Sequence, residues 1–141
     1  MPPLKQEVFM ENPTLADVRV RFAHDRFATE NGAVIEEVRE GYARCSMDIA
    51  PRHLNAAGGV MGGAIFTLAD FAFAVAANWN QPLHVSLSSQ ITYLGTAKGK
   101  RLTAQARMVM EGRSTCFYMV DVTDDLGNPV AQVTVSGFVK G

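Results

Sequence analysis

The sequence predicts an α+β domain in which an antiparallel six-stranded sheet curls around one long helix. Three observations carry that expectation. Residues 61–78 form one unbroken run that is apolar almost all round, the mark of a helix buried on most sides. Six other stretches are strand-like, several alternating apolar and polar side chains with a two-residue period. With 141 residues, 48% hydrophobic and 19% charged, the chain suits one domain, 1–141, with a core that needs neither disulfide nor metal. A lone apolar helix among six strands is best buried when the sheet wraps it.

Taken in order, residues 13–31 read as an N-terminal amphipathic helical segment. Thr14 is its cap, Leu15, Val18, Phe22 and Phe27 share one side, and Gly32 ends it. Residues 33–50 read as a hairpin turning at Glu40-Gly41, with Ala43, Cys45, Met47 and Ile49 on one face of the second arm. The loop "PRHLNAAGG" leads into the apolar helix, which Pro82 in "NWNQP" stops. Four strand-like runs follow. The first alternates Val85, Leu87, Ile91 and Tyr93, and the second Leu102, Ala104, Ala106, Met108 and Met110. Gly99, Gly112 and Gly127 punctuate their connections, as in a meander.

Several function classes are set aside. A net charge of −1 gives no reason to expect a nucleic-acid partner. The first residues lack an apolar run behind a basic start, so no signal peptide is expected. Residues 60–77 carry Asp70 at mid-span, at an insertion cost of about 2.5–3.5 kcal/mol, which argues for a buried helix rather than a membrane span. Cys45 and Cys116 sit singly in strands and read as reduced thiols of a cytoplasmic protein. His24, His53 and His84 lack metal-ligand spacing, so no metal is expected.

The stretch "NAAGGVMGGAIFTLAD", Asn55 to Asp70, resembles the signature of the PaaI-like acyl-CoA thioesterases, which have the hotdog fold. "VSLSSQITYLGTAKGKRLTAQARM" and "GRSTCFYMVDVTDDLGNPVAQ" are similar to the later strands of that family, so the resemblance covers roughly residues 32–139. This chain departs from the family at Met61, which replaces a histidine before the glycine pair, and at Gly95 and Thr96, which replace an arginine and a proline. The resemblance implies hydrolysis of an acyl-CoA with an aromatic or medium-chain acyl group, no cofactor, and a homodimer often doubled to a tetramer. It also implies that Asn55 hydrogen-bonds near the thioester and that Ser86 holds the attacking water beside Asp70.

The chemistry at the helix follows from its geometry. The first turn of a helix has unpartnered N–H groups and a partial positive charge. Gly62, having no side chain, lets a thioester carbonyl approach them and stabilises its developing oxyanion. Asp70 lies eight residues further on, about 12 Å along the axis, too far to serve the tip of its own helix. A catalytic Asp70 therefore acts at the tip of a partner's helix, which requires a two-fold dimer with composite sites. It acts either as nucleophile or as general base; the sequence leaves both open.

Met61 and Gly63 are expected against the substrate, Met61 favouring apolar acyl groups. Lys98, Arg113, Ser114 and Thr115, on hairpin turns, are candidates for the coenzyme A phosphates, with solvated turns as the plainer reading. His53 is a candidate for lining the cleft, with a surface-loop histidine as the safer expectation. The alternative function is an acyl-CoA binder that does not hydrolyse, which the loss of the histidine at Met61 favours.

Overall fold

The computed structural model describes residues 9–140; the reading of the first eight residues lies outside the described part. In chain order the elements are α1 (Leu15–Phe22), α2 (Arg26–Glu30), β1 (Ala33–Arg39), β2 (Tyr42–Asp48), a short 3-10 turn (Pro51–His53), α3 (Gly62–Asn78), β3 (Leu83–Tyr93), β4 (Arg101–Glu111), β5 (Thr115–Asp124) and β6 (Pro129–Lys140). The six strands form one antiparallel sheet in the order β1-β2-β4-β5-β6-β3. That sheet wraps α3, as the sequence predicts.

Side-chain size explains how the helix seats. Beneath α3, Ala43 pairs with Ala106 and Cys45 with Ala104, all buried, so the centre of the sheet presents small side chains. Larger groups from α3, including Leu68, Phe71, Phe73 and Val75, fill the space above and beside them. Phe73 meets Tyr118 edge-on at 5.2 Å between ring centroids. Both cysteines are buried free thiols. Among the described residues no helix is long and apolar enough to cross a membrane.

Three local expectations need correction. The helix expected over residues 13–31 is two helices. Thr14 does cap the first, its hydroxyl accepting from the Asp17 N–H while the Asp17 carboxylate accepts from the Thr14 N–H. The chain then breaks at Ala23–Asp25, where the Asp25 N–H bonds the Phe22 carbonyl. The break turns Ala28 into the core and leaves Phe27 73% exposed.

The alternation assigned to β3 does not match its burial: an irregularity between Ser86 and Ser88 shifts the register, and Leu87 and Tyr93 are exposed on this edge strand. Likewise a bulge between Met108 and Met110 puts Met110 opposite Phe117, on the outer face. In β4 the extra residue swaps the later side chains to the other face, whereas in β3 Leu87 is itself the irregular residue and Tyr93, opposite buried Ala131, is exposed because β3 is the sheet's edge.

Candidate active site

The tip of α3 is held by the loop before it. The Asn55 side-chain oxygen accepts from the N–H groups of Ala57 (2.9 Å) and Gly59 (3.1 Å), and the Asn55 N–H donates to the Gly59 carbonyl at 2.7 Å. The Met61 N–H donates to the His53 carbonyl, so the chain enters the helix in one direction. Met61 stands at the cap position but offers no capping side-chain bond, and the N–H groups of Gly62 and Gly63 have no partner among the described residues. Two donors are thus left pointing out of the helix.

On one side of this tip lies a cleft of about 450 Å³ lined by Asn55, Gly59, Gly62, Tyr93, Leu94 and Thr96, among others. The Tyr93 hydroxyl donates to the Gly62 carbonyl at 2.9 Å, and a Cβ at residue 62 would lie 2.7 Å from that hydroxyl oxygen. A side chain at residue 62 would therefore displace the Tyr93 ring. Sequence reasoning missed Tyr93 because it read the residue only as part of an apolar alternation.

On the other side a smaller apolar cleft of about 290 Å³ is lined by Phe27, Met47, His53, Met61, Gly63 and Thr67, with others. His53 is buried, not a surface-loop residue. Its Nδ1 accepts from the Ala50 N–H at 3.0 Å, which leaves Nε2 to carry the proton and donate to the Asn31 carbonyl at 2.7 Å. Both nitrogens are occupied in tying the 3-10 turn to the end of α2. Only the ring is left to line the cleft.

Asp70 lies further along the same exposed stripe of α3 as Gly63 and Thr67, set by the helical repeat. It lines a third cleft, of about 370 Å³, with Asp25, Phe27, Phe66, Thr67 and Phe71. Because Phe27 and Thr67 border both this cleft and the previous one, the two form a single groove between α2 and α3. The desolvation imposed by these apolar walls, and then the charge of Asp25, raise the Asp70 carboxyl above its ordinary value. Asp25 was not singled out by sequence; its cap-like position before α2 disguised it.

The remaining candidates are dispersed. Ser86 is exposed on β3 opposite Gly137 of β6, and does not border the cleft that holds Asp70. Lys98 follows directly on Ala97, which lines the cleft beside Gly62. Arg113, Ser114 and Thr115 sit at the other end of β4, about 33 Å away along a strand. Within one chain, Lys98 and Arg113 cannot hold the same phosphate.

A single long helix cradled by a six-stranded antiparallel sheet, with clefts at the helix tip, defines a hotdog-fold protein. The chain belongs to the hotdog-fold thioesterase family related to PaaI, and its residues 20–139 match the model described as "Domain of unknown function (DUF4442)". It is 37% identical over 111 residues to a protein of Archaeoglobus fulgidus, covering 78% of this chain and 72% of that one. It is 28% identical over 123 residues to the acyl-coenzyme A thioesterase PaaI of Escherichia coli, covering 86% and 88% of the two chains. The solved structure of E. coli PaaI superposes with a TM-score of 0.79 at 27% identity, covering 91% of this chain and 97% of that one. A hypothetical thioesterase protein of Streptococcus pneumoniae, crystallised with coenzyme A, superposes with a TM-score of 0.78 at 30% identity, covering 85% and 97%.

Proposed function

We propose that this chain hydrolyses the thioester of an acyl-CoA, with an aromatic or medium-chain acyl group, at composite sites formed by two protomers. One observation carries the reading. The free donors of the α3 tip and the unpaired carboxylate of Asp70 lie on the same helix but about 12 Å apart. They suit one reaction only when each serves the other's counterpart across a two-fold axis. The names of the relatives, a thioesterase and a protein bound to coenzyme A, support the same chemistry.

In this reading the thioester carbonyl of the substrate accepts from the Gly62 N–H, beside Gly63, while Asn55 directs its side-chain amide toward the same cleft. Asp70 of the partner subunit supplies the attacking oxygen, from its own carboxylate or from a water it deprotonates. The tetrahedral oxyanion rests on the tip of α3, and its collapse releases the coenzyme A thiolate. The acyl group lies in the apolar groove past Met61 and Phe27, and Lys98 meets the anionic end of coenzyme A. The dimer is the smallest active unit, doubled to a tetramer as in the family.

Release of thiol from a panel of acyl-CoAs tests the activity, with Asp70→Asn expected to fall to background. Equal, near-background rates for both proteins would leave the second reading, binding without hydrolysis, which Met61 in place of a histidine favours. The shared site is tested by mixing. Asp70→Asn and Gly62→Ala chains, each inactive alone, regain about a quarter of the wild-type rate when their subunits exchange at random, because half the dimers are mixed and each then holds one intact site. No recovery after proven exchange would refute the composite site.

A further inference from the structure

We infer that Asp25 is a positioning residue of the reaction centre, a second carboxylate whose charge acts on Asp70 across the cleft between α2 and α3. The inference rests on the reading of Asp70 above. Wherever Asp70 acts, Asp25 accompanies it, because both line the same cleft of the same chain.

The placement is unusual for a residue with a purely structural role. Asp25 occupies the position before α2 where an aspartate ordinarily caps the helix by accepting from its first N–H groups, yet its side chain makes no capping bond. It forms no ion pair among the described residues. Its cleft is walled by Phe27, Ala28, Phe66 and Phe71. The one hydroxyl there, that of Thr67, donates to the Gly63 carbonyl at 2.8 Å. Two solvent-exposed carboxylates thus share a cleft with largely apolar walls, and neither forms an ion pair among the described residues.

Of the other charged groups nearby, Arg26 of α2 pairs with Glu30 at 2.8 Å and Arg52 lines the adjoining part of the groove, while several on the neighbouring strands are engaged elsewhere. Glu36 of β1 accepts from the Ser46 hydroxyl, Glu37 pairs with Arg39 and Arg44, and Asp48 of β2 pairs with Arg101. His24, next to Asp25 in sequence, is exposed. The consequence is directional. A negative neighbour disfavours ionised Asp70 and makes its carboxylate a stronger base, ready to take a proton from water closer to neutral pH.

The test compares the full chain with Asp25→Asn and, as a charge control in the exposed β1–β2 turn, Glu40→Gln. Two readouts are taken: the pH profile of kcat/KM on one acyl-CoA, and the titration of the Asp70 carboxyl carbon by NMR, which needs no turnover. Asp25→Asn is expected to move the acid limb and the titration midpoint down by about half a pH unit, whereas Glu40→Gln leaves them in place. In 1 M salt, where the screening length is about 3 Å, the wild-type midpoint should fall toward that of Asp25→Asn. That salt shift is measured on unmodified protein, and Asp25→Ser serves as a second variant should Asp25→Asn fold poorly. Coincident midpoints for wild type and the Asp25 variants would overturn the inference while leaving Asp70 intact. Full activity in Asp70→Asn would instead overturn the reading of Asp70 itself.

Discussion

Replacing Gly62 by alanine separates packing from chemistry at the tip of α3. The added Cβ would lie 2.7 Å from the Tyr93 hydroxyl oxygen and 2.9 Å from Cζ, closer than real Cβ contacts come, and a tight 3.3 Å from Cε1. Tyr93 is 50% exposed, so its ring swings outward and surrenders the bond from its hydroxyl to the Gly62 carbonyl. Losing that bond costs about 0.5–1.5 kcal/mol, and the better helix propensity of alanine returns up to about 1 kcal/mol. The net loss of stability is therefore no more than about 1.5 kcal/mol, a fall in Tm of at most about 5 °C for a chain of this size.

Activity should respond far more. In the proposed reaction the thioester carbonyl meets the Gly62 N–H, which the methyl group would obstruct, and losing one oxyanion donor costs about 2.7–4 kcal/mol, or 10²–10³ in kcat. Thermal melting and thiol release on the same preparation measure both effects. Adding Tyr93→Ala removes the collision and is not expected to restore the rate. A Gly62→Ala protein hydrolysing within about threefold of wild type would refute the assignment of this N–H as the oxyanion donor.

Further outcomes follow from titratable groups away from the site. Asp124 accepts from the N–H groups of Lys98, Leu126 and Asn128 and from the Asn128 side chain. These bonds, that from Lys98 foremost, hold its carboxyl far below the usual carboxylate range. Stability from a depressed carboxyl is full above the unfolded value and lost as pH falls below it, so Asp124→Ala should melt several degrees lower at neutral pH, and the gap should narrow as pH drops below about 4. Melting curves across pH check this. Asp25 and Asp70, both raised, contribute with the opposite sign, and stability should gain from their protonation as pH falls through their folded values toward the unfolded one. Burial pushes the Cys45 thiol up to about 12 and raises that of Cys116. A disulfide reagent at pH 8 should therefore leave both thiols untouched in the native protein and titrate both after denaturation. Rapid native labelling would contradict the seating of α3 over Cys45.

Much of the fold was legible because it is written in short-range patterns. The bounds of α3 follow from its apolar run and its glycine start, and the β1–β2 hairpin from Glu40-Gly41, where Gly41 takes a positive φ of 67°. The break in the N-terminal helix was not legible, because residues 13–31 keep a plausible helical stripe through it. Nor were the irregularities near Leu87 and Val109, since a single inserted residue leaves composition unchanged while reversing what is buried. At the site, the glycine pair and Asp70 stood out by type and spacing. Tyr93 and Asp25 did not, and His53 stood out only as a candidate without its buried bonds to Ala50 and Asn31, because each owes its place to contacts the pattern does not record.

The sequence by itself determined the element types, the single wrapped helix and the distance between Gly62 and Asp70, since helical rise converts residue number directly into length. Only the tertiary structure decided that Asp25 shares a cleft with Asp70, that Tyr93 closes on Gly62, and that Lys98 and Arg113 stand at opposite ends of one strand. Periodicity records which neighbours share a face. Which faces meet is settled by long-range strand pairing and by the packing of α2 against α3, and no local pattern encodes either.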